Sequence, residues 1–254
     1  IFLAAALMDS SDRLSSTSSV YYDPTLPTGT LYGGTTVKSS GGFTNASYVK
    51  YVPFDSHSGI QNIYVRKPGS TSYVAYTSGT QLTAEGTYYF YCTDKAGNTS
   101  STVSITLDRT VPTGTLYGGT STKSSGSYTN AAYVKYTASD SISGINAIYV
   151  KMPGASGYTT YSSGTQLATE GTYSFYSVDK AGNQSSVVTI TLDNTKPTGT
   201  LYAGTSTTTS GSRTNASYIK FVPSDAIGLG TTYVMKPNTT SYVTYTSGTQ
   251  LTAE

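Results

Sequence analysis

An 85-residue internal repeat constrains this chain to an array of similar units. The motif Pro-Thr-Gly-Thr-Leu-Tyr begins at Pro27, Pro112 and Pro197, which are spaced 85 residues apart. A second motif, Asp-Lys-Ala-Gly-Asn, begins at Asp94 and again at Asp179 with the same spacing. Each copy is therefore one structural unit, and any motif can be compared with its counterparts.

The two ends of the sequence fall in neighbouring positions of the repeat. Aligning backwards from the first motif places Ile1 opposite Gly86 and Asp9 opposite Asp94, while Glu254 corresponds to Glu85. The first segment is thus a diverged copy of the last quarter of a repeat, and the third repeat lacks that quarter. The alignment predicts four parts: an N-terminal segment, repeat 1, repeat 2 and an incomplete repeat 3, at residues 1–23, 24–108, 109–193 and 194–254.

Composition favours strands and excludes several classes of function. Charged residues make up 11 % of the chain, there are 25 Tyr, and Trp is absent, as in proteins of short strands and polar turns. The net charge of +2 without a basic cluster argues against binding to nucleic acid or an anionic membrane. The longest apolar run is too short to span a bilayer, and the single Cys92 excludes an internal disulfide.

Alternating apolar residues predict the fold. The alternation has period 2 in every copy, as expected for strands with one buried face. The predicted inward residues are Val49, Tyr51, Tyr88, Phe90, Cys92, Val103, Ile105 and Leu107, with counterparts in the other copies. About seven strands per repeat predict an all-β fold of tandem immunoglobulin-like antiparallel β-sandwiches, the third lacking its last two strands.

Several motifs carry a family resemblance. Thr-Asn-Ala-Ser-Tyr-Val-Lys-Tyr ahead of Asp55, Ser-Gly-Ile at Ser58, Gly-Thr-Tyr at Gly86 and Asp-Lys-Ala-Gly-Asn at Asp94 resemble the bacterial Ig-like repeats found in tandem in secreted and cell-surface proteins. The resemblance implies an extracellular spacer or adhesive module and does not imply an enzyme.

A sandwich that lacks two strands exposes an apolar groove and unpaired strand edges, which must be covered. The N-terminal segment has suitable residues, because its alignment predicts two donor strands. Strand addition between chains is a known mode of recognition, used by chaperone-assembled pilins. The predicted donor residues are Leu3, Ala5, Leu7, Val20 and Tyr22, and the predicted acceptor groove contains Ile219, Phe221 and Leu251.

The resulting hypothesis is a secreted structural subunit whose partners are other copies of itself, joined head to tail into a fibre. One alternative is a stretch of a longer cell-surface adhesin or stalk of covalent repeats, whose outward Tyr residues could bind glycans or a host surface. Another alternative concerns residues 1–8, which could instead be the remnant of a signal peptide or a short helix.

The sequence offers no catalytic constellation and predicts no cofactor. His57 is the only histidine and lies in a predicted turn, and Cys92 lies at an inward strand position, so neither has the partners that nucleophilic catalysis requires. Carboxylates recur near the predicted domain junctions, at Asp23, Asp108 and Asp193. Oxygen ligands there could bind calcium, but one carboxylate per junction is few for a metal site.

Overall fold

The structure is a computed structural model that describes residues 2–6 and 18–252. These residues form strands and turns, and no helix occurs among them. Consequently, the described ranges contain no helix long and apolar enough to cross a membrane. The first two strands, β1 (Phe2–Ala5) and β2 (Ser18–Tyr21), pair with each other in a two-stranded antiparallel sheet.

Repeat 1 is a sandwich of a three-stranded and a five-stranded sheet. The first sheet has the order β4–β3–β6 and the second β5–β10–β9–β7–β8. The strands are β3 (Thr28–Gly33), β4 (Thr36–Lys38), β5 (Gly42–Thr44), β6 (Val49–Phe54), β7 (Ile60–Arg66), β8 (Val74–Ala75), β9 (Gly86–Asp94) and β10 (Val103–Leu107).

Repeat 2 has the same two sheets, β12–β11–β14 and β13–β18–β17–β15–β16. Its strands are β11 (Thr113–Gly118), β12 (Ser121–Lys123), β13 (Ser127–Thr129), β14 (Val134–Ser139), β15 (Ile145–Lys151), β16 (Thr159–Thr160), β17 (Gly171–Asp179) and β18 (Val188–Leu192). Each repeat has eight strands where about seven were expected, and β5 and β13 run parallel to β10 and β18, so the sandwich is not purely antiparallel.

Aromatic rings fill the space between the two sheets. In repeat 1 the Tyr51 ring stacks on Phe90 at 5.1 Å, and Tyr76 meets the same ring edge-on at 5.2 Å. Repeat 2 reproduces both contacts around Phe175. The predicted inward residues of β6, β9 and β10 are buried, except Val103, which is half-buried at the margin of the core. Offset and edge-on ring pairs add to the stabilisation from apolar burial.

The third repeat contains the first sheet and part of the second. Its strands form the sheets β20–β19–β21 and β22–β23, and within residues 194–252 it has no counterparts of β5, β9 and β10. We call this unit the open unit. Its strands are β19 (Thr198–Ala203), β20 (Ser206–Thr208), β21 (Ile219–Ser224), β22 (Thr232–Met235) and β23 (Tyr242–Tyr245).

Candidate functional site

The strand pair β1–β2 has the residue register of the last two strands of a complete repeat. Each pairing in β1–β2 corresponds, 85 residues later, to a pairing between β9 and β10. The observed pairs are Phe2–Tyr21, Leu3–Val20, Ala4–Ser19 and Ala5–Ser18, against Thr87–Thr106, Tyr88–Ile105, Tyr89–Ser104 and Phe90–Val103. Phe2–Ala5 is therefore a strand and not a helix. Leu7 lies outside the described residues.

The face of β2 that should enter a core is exposed. Val20 has 69 % of its surface exposed and Tyr22 has 61 %, whereas the counterparts Ile105 and Leu107 are fully buried. Among the described residues, β1 and β2 pair with no other strand. The chain therefore presents two strands that have the register of a core pair without a core of their own.

The predicted acceptor residues lie together on the open unit. Ile219 and Leu251 exchange two main-chain hydrogen bonds of 2.9 and 2.8 Å, as Val49 and Leu82 do in repeat 1. Ile219 is 44 % exposed although its counterpart Val49 is fully buried. Phe221 and Leu251 are half-buried, so the three residues border an apolar face that is only partly covered.

One edge of β22 lacks the neighbour that β7 has in repeat 1. β7 pairs with β8 on one side and β9 on the other, but within residues 2–6 and 18–252 the sole partner of β22 is β23. The loss also affects the outer face, where Tyr64 of β7 stacks on Tyr91 of β9 at 4.8 Å. Its counterpart Tyr233 is 57 % exposed, so both the main chain and the side chains of β22 can receive a strand.

The start of repeat 1 is fixed by hydrogen bonds to Asp23, which we call the junction clamp. The Asn98 side-chain amide donates to the Asp23 carbonyl at 2.9 Å, and the Ser58 N–H donates to Asp23 Oδ2 at 3.0 Å. The Thr25 N–H donates to Asp23 Oδ1 at 2.9 Å. The clamp connects the residue that follows the β1–β2 pair to two turns of repeat 1.

Asp108 is held by the same clamp between repeats 1 and 2. Asn183 donates to the Asp108 carbonyl at 2.9 Å, and the N–H groups of Ser143 and Thr110 donate to its carboxylate at 3.1 and 3.0 Å. Asp193, which begins the open unit, accepts only the Thr195 N–H at 3.2 Å among the described residues. The clamp asparagine belongs to the turn between β9 and β10, and the open unit has no such turn.

The junction clamps also bring carboxylates together, which corrects the expectation of one carboxylate per junction. Asp23, Asp55 and Asp94 each place an oxygen within 4.8 Å of the other two, and Asp108, Asp140 and Asp179 do the same. Four of these six residues are buried. We call the two groups the carboxylate triads.

One carboxylate oxygen of the first triad has no hydrogen-bond partner among the described residues. Asp94 is occupied by the N–H and side-chain amide of Asn98, whereas Asp55 Oδ2 is buried and has no hydrogen-bond partner among the described residues. Among the described residues, the one ion pair joins Arg109 to Glu85 and includes no member of either triad. Close carboxylates without a counter-ion repel each other, and carboxylate oxygens are the ligands of Ca²⁺. The first triad could therefore hold a calcium ion.

The other candidate residues have structural roles. Cys92 is fully buried, and its Sγ lies 3.5 Å from the Tyr51 hydroxyl. Burial and then the hydrogen bond with Cys92 raise the pKa of Tyr51. His57 is exposed in a turn, where its Nδ1 lies 2.8 Å from Ser56 Oγ. Neither residue contacts a group that would make it a nucleophile.

Comparison with known proteins provides a distant likeness in fold. No protein-family model matches the sequence, and no curated protein matches it. One solved structure, of fibronectin(III)-like modules of CbhA from Clostridium thermocellum, is 20 % identical with a TM-score of 0.29, and the match covers 61 % of this chain and 89 % of that one. The fold of tandem all-β sandwiches is assigned from the strand topology of this chain alone.

The clamp at Asp23 predicts an acid-sensitive junction. The Ser58 hydroxyl, with the N–H groups of Thr25 and Ser58, lowers the pKa of Asp23 to about 2. This pKa is below that of an unfolded aspartate, at about 4. Ionised Asp23 therefore stabilises the folded state fully above pH 4, and this stabilisation is lost as the pH falls towards 2. Thermal melts of the wild type and Asp23→Asn should differ at pH 5 and converge near pH 2. A difference that is constant across this range would contradict the assignment.

Proposed function

We propose that this chain is a non-enzymatic structural subunit of an extracellular fibre. Copies join head to tail when residues 1–23 of one copy insert β1 and β2 into the open unit of the next. The observation that supports this most strongly is the shared register: β1–β2 pairs residue for residue like β9–β10, the strands that the open unit lacks.

Insertion would cover the exposed face of β2 and the unpaired edge of β22 at the same time. The order β22–β1–β2 in the joined molecules would reproduce the order β7–β9–β10 of repeat 1, giving the open edge of β22 a neighbour. Burial of Leu3, Val20 and Tyr22 would stabilise the complex by about 1.5–3 kcal/mol each, before the cost of ordering the segment. Main-chain hydrogen bonds along the new strand add to this.

The partner is a second copy and not the same chain. The Asp23 clamp connects β2 directly to repeat 1, and repeat 2 lies between repeat 1 and the open unit. Closure within one chain would bend three sandwiches on short linkers into a tight ring. A head-to-tail contact that does not close on itself produces an open filament.

A residue match favours this pairing over a longer covalent array. In repeat 1 the Tyr51 hydroxyl contacts the Cys92 thiol, and in repeat 2 the Tyr136 hydroxyl lies 3.5 Å from Ser177 Oγ. The open unit has Phe221 in the tyrosine position, and the residue aligned with the thiol is Leu7. The ring that lacks a hydroxyl is thus aligned with an apolar residue. In a covalent array the two ends of this sequence would not contact each other, and the match would be a coincidence.

The second candidate is a cell-surface stalk or adhesin of covalently linked repeats. It is supported by the close agreement of repeats 1 and 2 and by the resemblance to tandem Ig-like repeats of secreted proteins, which also supports the extracellular location. In such an array, the preceding and following repeats of the same chain would fill the surfaces at β2 and β22. The two candidates therefore predict different masses for the native polymer.

Calcium at the carboxylate triads is part of the proposal. A divalent cation there would offset two of the three carboxylate charges and stiffen the connection between consecutive units. The unpartnered Asp55 Oδ2 supports a ligand at the first triad beyond the hydrogen bonds that the protein supplies.

Two complementary variants of the full chain test the head-to-tail contact. Leu3→Asp places a charge on the donor strand, and Ile219→Asp places one in the acceptor groove. Each variant alone should remain monomeric by light scattering, because a buried unpaired charge is costly. An equal mixture should form dimers and stop, since one intact donor meets one intact acceptor.

Val37→Asp is the matched control, because Val37 is exposed on β4 of repeat 1, and this variant should polymerise like the wild type. Native polymer heated in denaturant should release subunits of 26.6 kDa. Larger chains would favour the covalent array, and polymers of either single variant would contradict strand insertion.

Calcium should raise the melting temperature of repeats 1 and 2, by mass action on the folded state. A concentration 100 times the dissociation constant corresponds to about 2.7 kcal/mol. Asp55→Asn and Asp140→Asn should each remove the response of one repeat, whereas Glu85→Gln, outside the triads, should leave both. Melting curves that are identical with calcium and with chelator would refute the calcium sites.

A further inference from the structure

Resting on the proposed function, we infer that the junction between two subunits has the same geometry as the junction between repeats 1 and 2. In the fibre, the step from one subunit to the next then equals the step from repeat 1 to repeat 2. The interaction that sets this step is the clamp at Asp23, which is already formed within a single chain.

The first argument is the equality of the two clamps. At Asp23 the bonds from the asparagine amide, the serine N–H and the threonine N–H measure 2.9, 3.0 and 2.9 Å. At Asp108 the corresponding bonds measure 2.9, 3.1 and 3.0 Å. Both aspartates are buried, and both belong to a carboxylate triad. Repeat 1 is therefore attached to Asp23 as repeat 2 is attached to Asp108.

The second argument is the position of each clamp relative to the strands before it. Asp108 directly follows β10, at one register step beyond its last residue, Leu107. Asp23 occupies the aligned position, two residues beyond Tyr21 at the end of β2, and the pairing of β2 with β1 reproduces that of β10 with β9. If β1–β2 fills the place of β9–β10 in the open unit, the direction in which the next repeat leaves that unit is fixed by the same contacts.

The linkers support the same conclusion. Asp23 and Thr28 are separated by as many residues as Asp108 and Thr113, so β3 and β11 begin at equal distances along the chain. One difference lies at Glu85, which accepts hydrogen bonds from the Arg109 N–H and the Thr110 hydroxyl at 2.8 Å each and pairs with the Arg109 guanidinium at 3.4 Å. At the subunit junction Pro24 occupies the position of Arg109 and has no N–H to donate. The Glu85 contacts are solvent-exposed, whereas the aspartates of both clamps are buried, so we assign the junction angle to the clamp.

Two hydrogen bonds define the matched variants. Asn98→Ala removes the amide of the clamp at the subunit junction, and Asn183→Ala removes the amide of the clamp at the internal junction. Neither residue lies on β1, β2 or the open unit, so both variants retain the donor and acceptor surfaces. The two variants differ only in which junction loses its asparagine amide.

The test is electron microscopy of fibres of the full chain with helical averaging. The wild type should show the same rise and rotation at the subunit junction as at the junction between repeats 1 and 2. Both variants should assemble at the wild-type rate and show the same fold-decrease in persistence length. Asn98→Ala should bend where subunits meet, and Asn183→Ala should bend between repeats 1 and 2.

Fibres in which the angle at the subunit junction differs from the angle between repeats 1 and 2 would overturn this inference while leaving strand insertion intact. The same holds if Asn98→Ala fibres stay as straight as wild type while Asn183→Ala fibres bend. Absence of any fibre from the wild type would instead refute the proposed function, and the inference with it.

Discussion

The organisation of this molecule depends on the backbone hydrogen bonds of strand edges. A strand in the middle of a sheet has partners on both sides, as β7 has in repeat 1. In the part of the chain that the structure describes, β22 has a partner on one side only, and β1–β2 joins no larger sheet. Unpaired edges next to apolar residues such as Ile219 and Val20 are templates for association. The two exposed features have matching register, so one can satisfy the other.

In the proposed fibre, the junctions would give this pairing a direction. The clamp aspartate receives hydrogen bonds from two turns of the following unit, so strand position and domain orientation are linked through one residue. The same turns gather three carboxylates. The cost of placing these charges together can be offset by a cation, which would change the stiffness of the connection between domains without altering the sandwich cores.

The repeat made much of this fold predictable from the sequence, because period-2 alternation at Val49 and Tyr51 shows which face of β6 is buried. The same reasoning located Cys92 in the core. The carboxylate triads could not be predicted, since Asp23, Asp55 and Asp94 are far apart in sequence and meet only through turn geometry. The recurrence of all three residues every 85 positions was the available signal. The parallel pairing of β5 with β10 was also missed, because β5 has three residues and no periodic pattern.

The central claim is that β1 of one copy lies beside β22 of another in a defined register, and a cysteine cross-link measures it directly. By analogy with the Tyr91–Tyr64 pair of β9 and β7, Ala6 should lie opposite Tyr233, at a separation that a disulfide can bridge. Chains carrying Ala6→Cys and Tyr233→Cys should give an oxidised ladder of covalent multimers in denaturant. Chains carrying Ala6→Cys with Val234→Cys, whose side chain faces the opposite side of the strand, should give none. A chain that remains monomeric with the first pair, or multimers that form equally with both pairs, would contradict the account.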